Sequence, residues 1–225
     1  MFTKVNGMAL YYESFGQGKP IILIHGNGED HTTMMSLASS LVASYAIYLP
    51  DSRNHGQSTK ADHLSYSDMA DDIAGFIQTL NLEKPLIIGS SDGAIIALLV
   101  AIKHPGLCSG IISAGANRFP SELKAWFRIM ARIGLWGSRG DPNLALMLNE
   151  PNLTDELLSK ITEPVLVMAG QRDVISENCT RALAAAIPNA ALCILKGETH
   201  SSYINHGERL TAAAKPFIDG LWQDE

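Results

Sequence analysis

Two patterns of hydrophobic and polar residues alternate along this chain: short apolar runs, and longer segments whose apolar residues recur with helical spacing. Short, almost continuous apolar runs predict strands that are buried on both faces of a sheet. Because such runs alternate with helical segments, the chain is expected to form βαβ units around a largely parallel sheet. The predicted strands of this kind cover residues 21–24, 46–49, 85–88, 110–115, 164–169 and 191–195.

Turn and cap residues mark the ends of further elements. Asn6 and Gly7 form a strong two-residue turn signal, which predicts an opening hairpin of residues 2–5 and 8–15. Ser65 and Asp68 have the spacing of a capping box at the start of a helix. The apolar face of that helix is formed by Met69, Ile73, Phe76, Ile77 and Leu80. Other helices are predicted at about 31–44, after residue 93 and at about 203–221.

One long segment, about 117–163, interrupts the alternation because it has no strand pattern. It contains a helical stretch at 121–135 and a second that includes 144–148 and 157–158. An insertion of this length between two core strands predicts a small helical cap over the carboxyl edge of the sheet. The chain is then a single domain, with its core in residues 1–116 and 164–225. Trp126, Phe127 and Met130 could line an acyl pocket, although their spacing is equally typical of helices that only pack on the sheet.

Composition narrows the possible functions. At 225 residues the chain has the length of one domain, and its 46% hydrophobic and 18% charged residues are typical of a globular protein. A formal net charge of −6 argues against a nucleic-acid partner. No membrane insertion is expected, because the longest aliphatic run, residues 94–102, is too short to span a bilayer. Residues 1–7 lack the apolar core of a signal peptide. The odd number of cysteines without C-x-x-C spacing favours free thiols in a cytoplasmic protein; they are Cys108, Cys179 and Cys193.

The most informative motif is Gly89-Ser90-Ser91-Asp92-Gly93, which lies between a predicted buried strand and an apolar helix. This is the context of a G-x-S-x-G nucleophile elbow, in which a sharp strand-to-helix turn exposes the serine hydroxyl. Glycines two positions either side leave room for the turn and for close contact between helix and strand. Ser91 is therefore the predicted nucleophile.

A serine nucleophile needs a base, and the base needs a carboxylate that orients it. Asp173 and His200 each follow a later predicted strand, so both are expected at the same sheet edge as Ser91, in the order serine, acid, histidine. Glu198 is an alternative acid, but two residues before His200 it is poorly placed to reach the far ring nitrogen. Among the other histidines, His25 and His55 are interpreted as structural residues of turns, His104 is a weaker candidate base, and His31, His63 and His206 are expected at the surface or at helix ends.

An oxyanion hole requires two backbone N–H donors. One is predicted at Asp92, directly after the nucleophile, and the other at Asn27 in the loop after the strand at 21–24. Gly26 and Gly28 could instead begin a dinucleotide-binding loop, but His31 occupies the third glycine position. The sequence contains no H-E-x-x-H or clustered Cys/His pattern. Neither a metal nor a cofactor is therefore expected.

With these motifs the chain resembles the α/β-hydrolase fold serine hydrolases over essentially its full length. The loop 25–28, the elbow, the two later loops and the segment 51–58 carry the resemblance. Segment 51–58 is similar to the family's D-x-R-G-H-G-x-S turn, with Asn54 where glycine is usual, and Asn tolerates a left-handed conformation. The resemblance implies an eight-stranded, mostly parallel sheet flanked by helices, with one antiparallel strand and a cap after the sixth strand.

Two features of the elbow refine the resemblance. Some relatives, the haloalkane dehalogenases and epoxide hydrolases, use aspartate as nucleophile; here the small residues Gly89, Gly93 and Ala94 favour Ser91 over Asp92. Ser91-Asp92-Gly93, with residues 115–117, also resembles the biphenyl-hydrolase-like group, some of which cleave amino-acid esters. The Asp92 side chain would then pair with a cationic substrate group. Its alternative role is a carboxylate that interacts only with the helix dipole.

The predicted function is that of a serine hydrolase, acting without a cofactor on small or medium carboxylic esters as a monomer or homodimer. The same three residues also serve C–C bond hydrolysis, thioester hydrolysis and acyl transfer, and the sequence does not separate these reactions. A non-catalytic ligand-binding role is the remaining alternative.

Overall fold

A computed structural model describes residues 1–61 and 63–222 of the chain. Within these residues, eight strands form one sheet in the order β1-β2-β4-β3-β5-β6-β7-β8. The strands are β1 (Phe2–Val5), β2 (Met8–Phe15), β3 (Pro20–Ile24), β4 (Ala46–Pro50), β5 (Leu86–Ser90), β6 (Gly110–Ala114), β7 (Val165–Arg172) and β8 (Ala190–Thr199). The predicted strands are confirmed, and β7 and β8 extend several residues further than predicted.

The strand directions confirm the predicted mostly parallel sheet. β2 is antiparallel to both β1 and β4, whereas the other neighbouring strands pair in parallel. Ile24 of β3 lies opposite Gly89 of β5, and Ser90 of β5 lies opposite Ala114 of β6. The carboxyl ends of these central strands are therefore side by side, and the loops that follow them meet at one edge.

Helices cover both faces of the sheet. They are α1 (Met35–Leu41), α2 (Tyr66–Thr79), α3 (Asp92–Lys103), α4 (Ala125–Gly137), α5 (Pro142–Asn149), α6 (Asp155–Leu158), α7 (Glu177–Ala186), α8 (Ser202–Asn205) and α9 (Gly207–Leu221). None of the helices within residues 1–61 and 63–222 combines the length and the apolar character that crossing a bilayer requires.

The continuous apolar character of β3 follows from burial on both sides. Ile22 and Ile24 belong to the hydrophobic cluster that includes α2 and α3. Ile21 and Leu23 belong to the second cluster, which includes α1 and α9. Alternate residues of one strand thus fill two cores, which is why no polar residue interrupts the run.

Two predicted helices differ from the structure: one is shorter than expected, and the other is divided into two. The helix expected at 31–44 is a 3-10 turn at His31–Met34 followed by the shorter α1. The helix expected at 203–221 is divided into α8 and α9 at His206. At the division, a Cβ on Gly207 would lie 2.4 Å from the Leu37 Cα, and the Gly207 N–H donates to Ser36 Oγ at 3.0 Å. Close contact with α1 therefore interrupts the helix.

The insertion between β6 and β7 is helical, as predicted. Its first helix, α4, starts at Ala125 rather than at residue 121, after a 3-10 turn at Pro120–Glu122. The start of α4 is attached to the loop after β7, because Leu123 bridges to Ile175 and the Lys124 ammonium donates to the Asp173 carbonyl. α4 packs on α5, whereas α6 packs on α3 and α7.

The cysteines are free thiols within the described part of the chain. Burial raises the pKa of the Cys108 thiol to about 12. This thiol therefore remains protonated at neutral pH and is a poor nucleophile.

Candidate active site

Ser91 occupies the turn between β5 and α3, and its backbone is strained. Its φ of 53° and ψ of −114° are rare for a residue with a side chain. A Cβ on Gly89 would lie 2.1 Å from the Gly93 carbonyl oxygen, and one on Gly93 would lie 2.2 Å from the Ile24 carbonyl oxygen. Both glycines are therefore needed for a turn this tight.

A continuous hydrogen-bond chain starts at the Ser91 hydroxyl. Ser91 Oγ lies 3.0 Å from His200 Nε2, and His200 Nδ1 lies 2.6 Å from Asp173 Oδ1. Asp173 directly follows β7, and His200 directly follows β8. The structure thus brings together three residues from distant parts of the sequence at the carboxyl edge of the sheet.

The Asp173 carboxylate is buried but well supplied with donors. It accepts the N–H groups of Ile175 at 3.2 Å and Gly170 at 3.3 Å, and the Tyr203 hydroxyl at 3.4 Å. Burial alone would raise the pKa of Asp173, but the hydrogen bond and charge of His200, together with these amides, hold it below its ordinary value. The carboxylate is therefore ionised at neutral pH, which favours a proton on Nδ1 of His200 and leaves Nε2 facing Ser91.

Glu198, the alternative acid, has other partners. Its carboxylate accepts the Ser202 hydroxyl and forms an ion pair with Arg209. It connects the end of β8 to α8 and α9, whereas the contact with His200 Nδ1 is made by Asp173.

A cavity of about 270 Å³ opens beside Ser91 and His200. This volume is near the lower end of small-molecule pockets, about 300–1,000 Å³. Phe127 of α4 lines the cavity, but Trp126 and Met130 are more than half exposed and lie outside it. A larger cavity of about 520 Å³ lies at the amino ends of β3 and β4, away from Ser91. The other lining residues of the smaller cavity are Gly26, Asn27, Glu29, Ser90, Leu144, Met147, Ser201, Ile204 and Asn205.

The residues predicted to form the oxyanion hole lie next to Ser91. Asp92 is the first residue of α3, so its N–H has no acceptor within the helix. Asn27 lines the cavity, and its side-chain amide donates to Asp92 Oδ2 at 2.8 Å and to the Asn143 carbonyl at 2.9 Å. These bonds fix the loop after β3 against both the elbow and α5.

The Asp92 side chain is not among the residues that line the cavity. It is buried, and its carboxylate accepts the Asn27 amide. Burial raises the pKa of this carboxyl, although the hydrogen bond from Asn27 opposes the shift. The carboxylate expected to pair with a cationic substrate group is thus occupied by a neighbouring side chain.

Sequence reasoning missed Glu29, which is the carboxylate that lines the cavity. Its Oε2 accepts the Gly26 N–H at 2.9 Å and the Thr33 hydroxyl at 3.2 Å. A Cβ on Gly26 would lie 3.0 Å from this oxygen and 3.2 Å from the Ser91 Cβ, so Glu29 and Ser91 lie close together on either side of that glycine. The only signal in the sequence is the i to i+3 spacing of Gly26 and Glu29, which is common to many turns.

Two histidines support the loop after β3. His25 Nε2 accepts the Ser52 N–H at 3.0 Å, and its Nδ1 lies 2.8 Å from the Gly26 carbonyl oxygen. Burial, reinforced by the nearby His55, lowers the pKa of His25 to about 4, so its ring is neutral. His55 Nε2 accepts the Gly28 N–H at 3.1 Å. Both rings thus hold the cavity loop against the segment 51–58.

The same segment explains two further residues. Asn54 has a φ of 68°, the left-handed conformation for which glycine is usual at this position of the family turn. His31, expected at the surface or at a helix end, is the first residue of the 3-10 helix at His31–Met34, but it is buried rather than exposed, and its Nδ1 lies 2.8 Å from Asp51 Oδ1. Asp51 also accepts the Gln57 N–H, so it organises the whole turn.

The sequence model of a protein family described as the alpha/beta hydrolase fold matches residues 19–146, which include β3, the elbow, α4 and most of α5. The chain belongs to the alpha/beta hydrolase fold family. The predicted family and fold class are therefore confirmed.

Individual relatives of this alpha/beta hydrolase are distant. An uncharacterised protein of Mycobacterium tuberculosis (strain ATCC 25618 / H37Rv) is 30% identical over 57% of this chain, a match that spans only 38% of that relative. A pimeloyl-acyl-carrier-protein methyl ester esterase of Aliivibrio salmonicida is 22% identical to this chain. The match covers 93% of this chain and 96% of that esterase. A thermophilic esterase from Thermogutta terrifontis has a similar structure, with a TM-score of 0.81, 21% identity and coverage of 98% of this chain and 99% of that one.

Proposed function

We propose that this protein is a serine hydrolase that cleaves carboxylic esters of small or medium size. The observation that carries the proposal is the hydrogen-bond chain from Ser91 through His200 to Asp173 beside a cavity of about 270 Å³. A serine hydroxyl in contact with an oriented imidazole is the arrangement that activates an otherwise weak nucleophile.

In the proposed mechanism, Ser91 Oγ attacks the ester carbonyl carbon while His200 Nε2 takes the hydroxyl proton. Asp173 stabilises the imidazolium, and the backbone N–H groups of Asn27 and Asp92 donate to the oxyanion. The C–O bond to the alcohol then breaks, and His200 returns its proton to the departing alkoxide. Water, deprotonated by His200, attacks the acyl-enzyme; the acid is released and the hydroxyl of Ser91 is restored.

Esterases among the similar proteins support the ester bond as the bond that is cleaved. Two of the similar proteins are named as esterases, and both are covered over almost their whole length. The size of the cavity supports a short acyl or alcohol group. Thioester hydrolysis, C–C bond hydrolysis and acyl transfer use the same nucleophile and remain alternative outcomes of a substrate comparison.

Labelling with a fluorophosphonate probe tests the nucleophile. We expect labelling of the native protein, its loss in Ser91→Ala, and its retention in Ser90→Ala, a matched change at the adjacent serine. A folded native protein that does not react, or a Ser91→Ala variant that is still labelled, would remove the proposal and favour a ligand-binding role.

The bond that is cleaved is tested by measuring kcat/KM for an ester, the matching thioester and a vinylogous diketone. The ester is expected to be the best of these substrates.

A further inference from the structure

The outward face of α4 consists of large apolar side chains. Trp126, Ile129, Met130, Ile133 and Trp136 follow one another at helical spacing, and their exposed fractions are 57%, 56%, 60%, 56% and 86%. Within residues 1–61 and 63–222 they are five of the eight large hydrophobic residues that are exposed. The polar residues of α4 are Arg128, whose Nε is buried, and Arg132 one turn later, so its polar side is a narrow cationic stripe rather than the broad one that an ordinary surface helix presents to water.

The size of this surface, here called the α4 patch, indicates an interaction site. Large aromatic and aliphatic side chains exposed to this degree present roughly 600 Å² of apolar surface together. The largest apolar patch on a typical monomer covers about 300–600 Å² and is often functional. The α4 patch lies at this upper limit, and it is formed by a single helix.

The charge around the α4 patch is opposite to that of the whole protein. The chain has a formal net charge of −6, yet residues 123–140 contain four cationic residues and no carboxylate. Lys124 is engaged with the Asp173 carbonyl. Arg132 and Arg139 are exposed and form no ion pair with any described residue. Arg132 lies within α4 and Arg139 lies two residues after its end, so the apolar residues of the patch are accompanied by cationic ones.

This combination favours a lipid surface over a second copy of the chain. Helices that lie in a membrane interface present Trp and aliphatic residues on one side and arginines beside them. Trp126 and Trp136 lie near the two ends of α4, and Trp is enriched at the boundary between hydrocarbon and headgroups. Two copies facing each other through this patch would bring like charges together, because residues 123–140 of each copy contain cationic residues and no carboxylate.

We propose that the α4 patch binds peripherally to an anionic lipid surface, with α4 parallel to the membrane plane. The helix has 13 residues and is thus about 20 Å long. Ile129, Ile133 and Trp136 enter the headgroup boundary, while Arg132 and Arg139 contact lipid phosphates or carboxylates. Phe127, on the inner side of the same helix, lines the cavity beside Ser91, so this orientation brings the cavity close to the lipid. Binding itself does not require that the protein hydrolyses esters.

Vesicle flotation tests the proposal on the full chain. The native protein is expected to float with phosphatidylcholine/phosphatidylserine vesicles and to bind pure phosphatidylcholine vesicles more weakly. The double variant Ile133→Ser/Trp136→Ser should lose about tenfold or more in affinity. Arg132→Gln/Arg139→Gln should weaken binding to anionic vesicles only and reduce its dependence on salt. Phe2→Ser removes an equally exposed hydrophobic residue elsewhere and should leave binding unchanged.

Two readouts keep the test independent of folding and of catalysis. The variants should keep the native melting temperature, and their rate on a soluble short-chain ester should equal that of the native protein, whatever that rate is. The proposal is overturned if the native protein does not float with anionic vesicles, or if Ile133→Ser/Trp136→Ser floats equally well. It is also overturned if light scattering finds a lipid-free dimer that this double variant converts into monomers, because the patch would then be covered by a second copy.

Discussion

The close contact between the elbow and β3 predicts a severe effect for a single added methyl group. In Gly93→Ala, the new Cβ would lie 2.2 Å from the Ile24 carbonyl oxygen and 2.7 Å from that of His25. Both obstacles are backbone atoms of the central part of the fold, so neither can rotate away. To reach even 3.0 Å, the closest approach that real Cβ atoms show, α3 and β3 must separate by about 0.8 Å.

The expected magnitude follows from this separation. Overpacking a well-packed core usually costs about 1–3 kcal/mol, and a contact with rigid backbone belongs at the upper end. For a chain of this size, about 3 kcal/mol lowers the melting temperature by roughly 6–12 °C. The same movement displaces Ser91 and the Asp92 N–H from the Asn27 loop. Since a misplacement of about 1 Å can cost about 10² in rate, kcat should fall by about that factor.

The assay compares the thermal unfolding of the native protein and the variant. It also compares their initial rates on a p-nitrophenyl ester, measured at a temperature below the unfolding transition of either protein. Gly220→Ala is the matched control, because it makes the same change in a helix where no atom lies within 4 Å of the new Cβ. The control should keep its melting temperature within about 2 °C and its full rate. A Gly93→Ala variant with native stability and native kcat would refute the argument that this contact sets the position of the nucleophile.

Three further predictions concern buried or cavity-lining ionisable groups. Asp173→Asn should lower kcat by about 10⁴, since an amide favours the wrong tautomer of His200. Glu29→Gln should raise kcat/KM about fivefold to tenfold for esters that carry a carboxylate, relative to neutral analogues, by removing a like charge from the cavity. Burial lowers the pKa of His25 in the folded protein to about 4. As the pH falls, the His25 ring is therefore protonated in the unfolded chain before it is protonated in the folded protein. Its contribution to the free energy of unfolding is complete above about pH 6.5 and should fall by about 3 kcal/mol between pH 6.5 and pH 4.

Each of these predictions has its own control. Glu198→Gln changes a carboxylate beside His200 that is bonded elsewhere, so its kcat should stay within a few-fold of native; equal losses in Glu198→Gln and Asp173→Asn would contradict the assigned acid. An unchanged ratio between charged and neutral esters in Glu29→Gln would exclude Glu29 from specificity. Urea denaturation at several pH values should give a flatter curve between pH 6.5 and 4 for His25→Gln; a curve parallel to that of the native protein would show that another group titrates.

The sheet could be predicted from sequence because its signals are local. A strand buried on both faces leaves an unbroken apolar run, and a turn such as Asn6-Gly7 is encoded by two adjacent residues. The division of the last helix at His206 depends instead on contact between Gly207 and Leu37, which are far apart in the chain. No periodicity within the helix carries that information.

In the candidate site, too, some features are visible in the local sequence and others depend on contacts between distant residues. The order of Ser91, Asp173 and His200 is visible in the sequence, and the structure brings the three into hydrogen-bond contact; their catalytic roles remain predictions. Which side of α4 faces the cavity could not be predicted, because large apolar residues lie on more than one side of the helix; only Phe127 of the three expected residues lines the cavity. Glu29 was missed because its position depends on the path of one loop around Gly26.

The attachment at the start of α4 also determines which part of the molecule can be exchanged with a relative. Leu123 bridges to Ile175, and Lys124 donates to the Asp173 carbonyl, so these two residues directly before α4 support the loop that carries the acid. A chimaera that acquires a foreign cap should therefore retain the native chain through Lys124 and begin the transplanted segment at Ala125. The boundary of the exchangeable segment therefore lies where contacts to the Asp173 loop end, about ten residues beyond the end of β6.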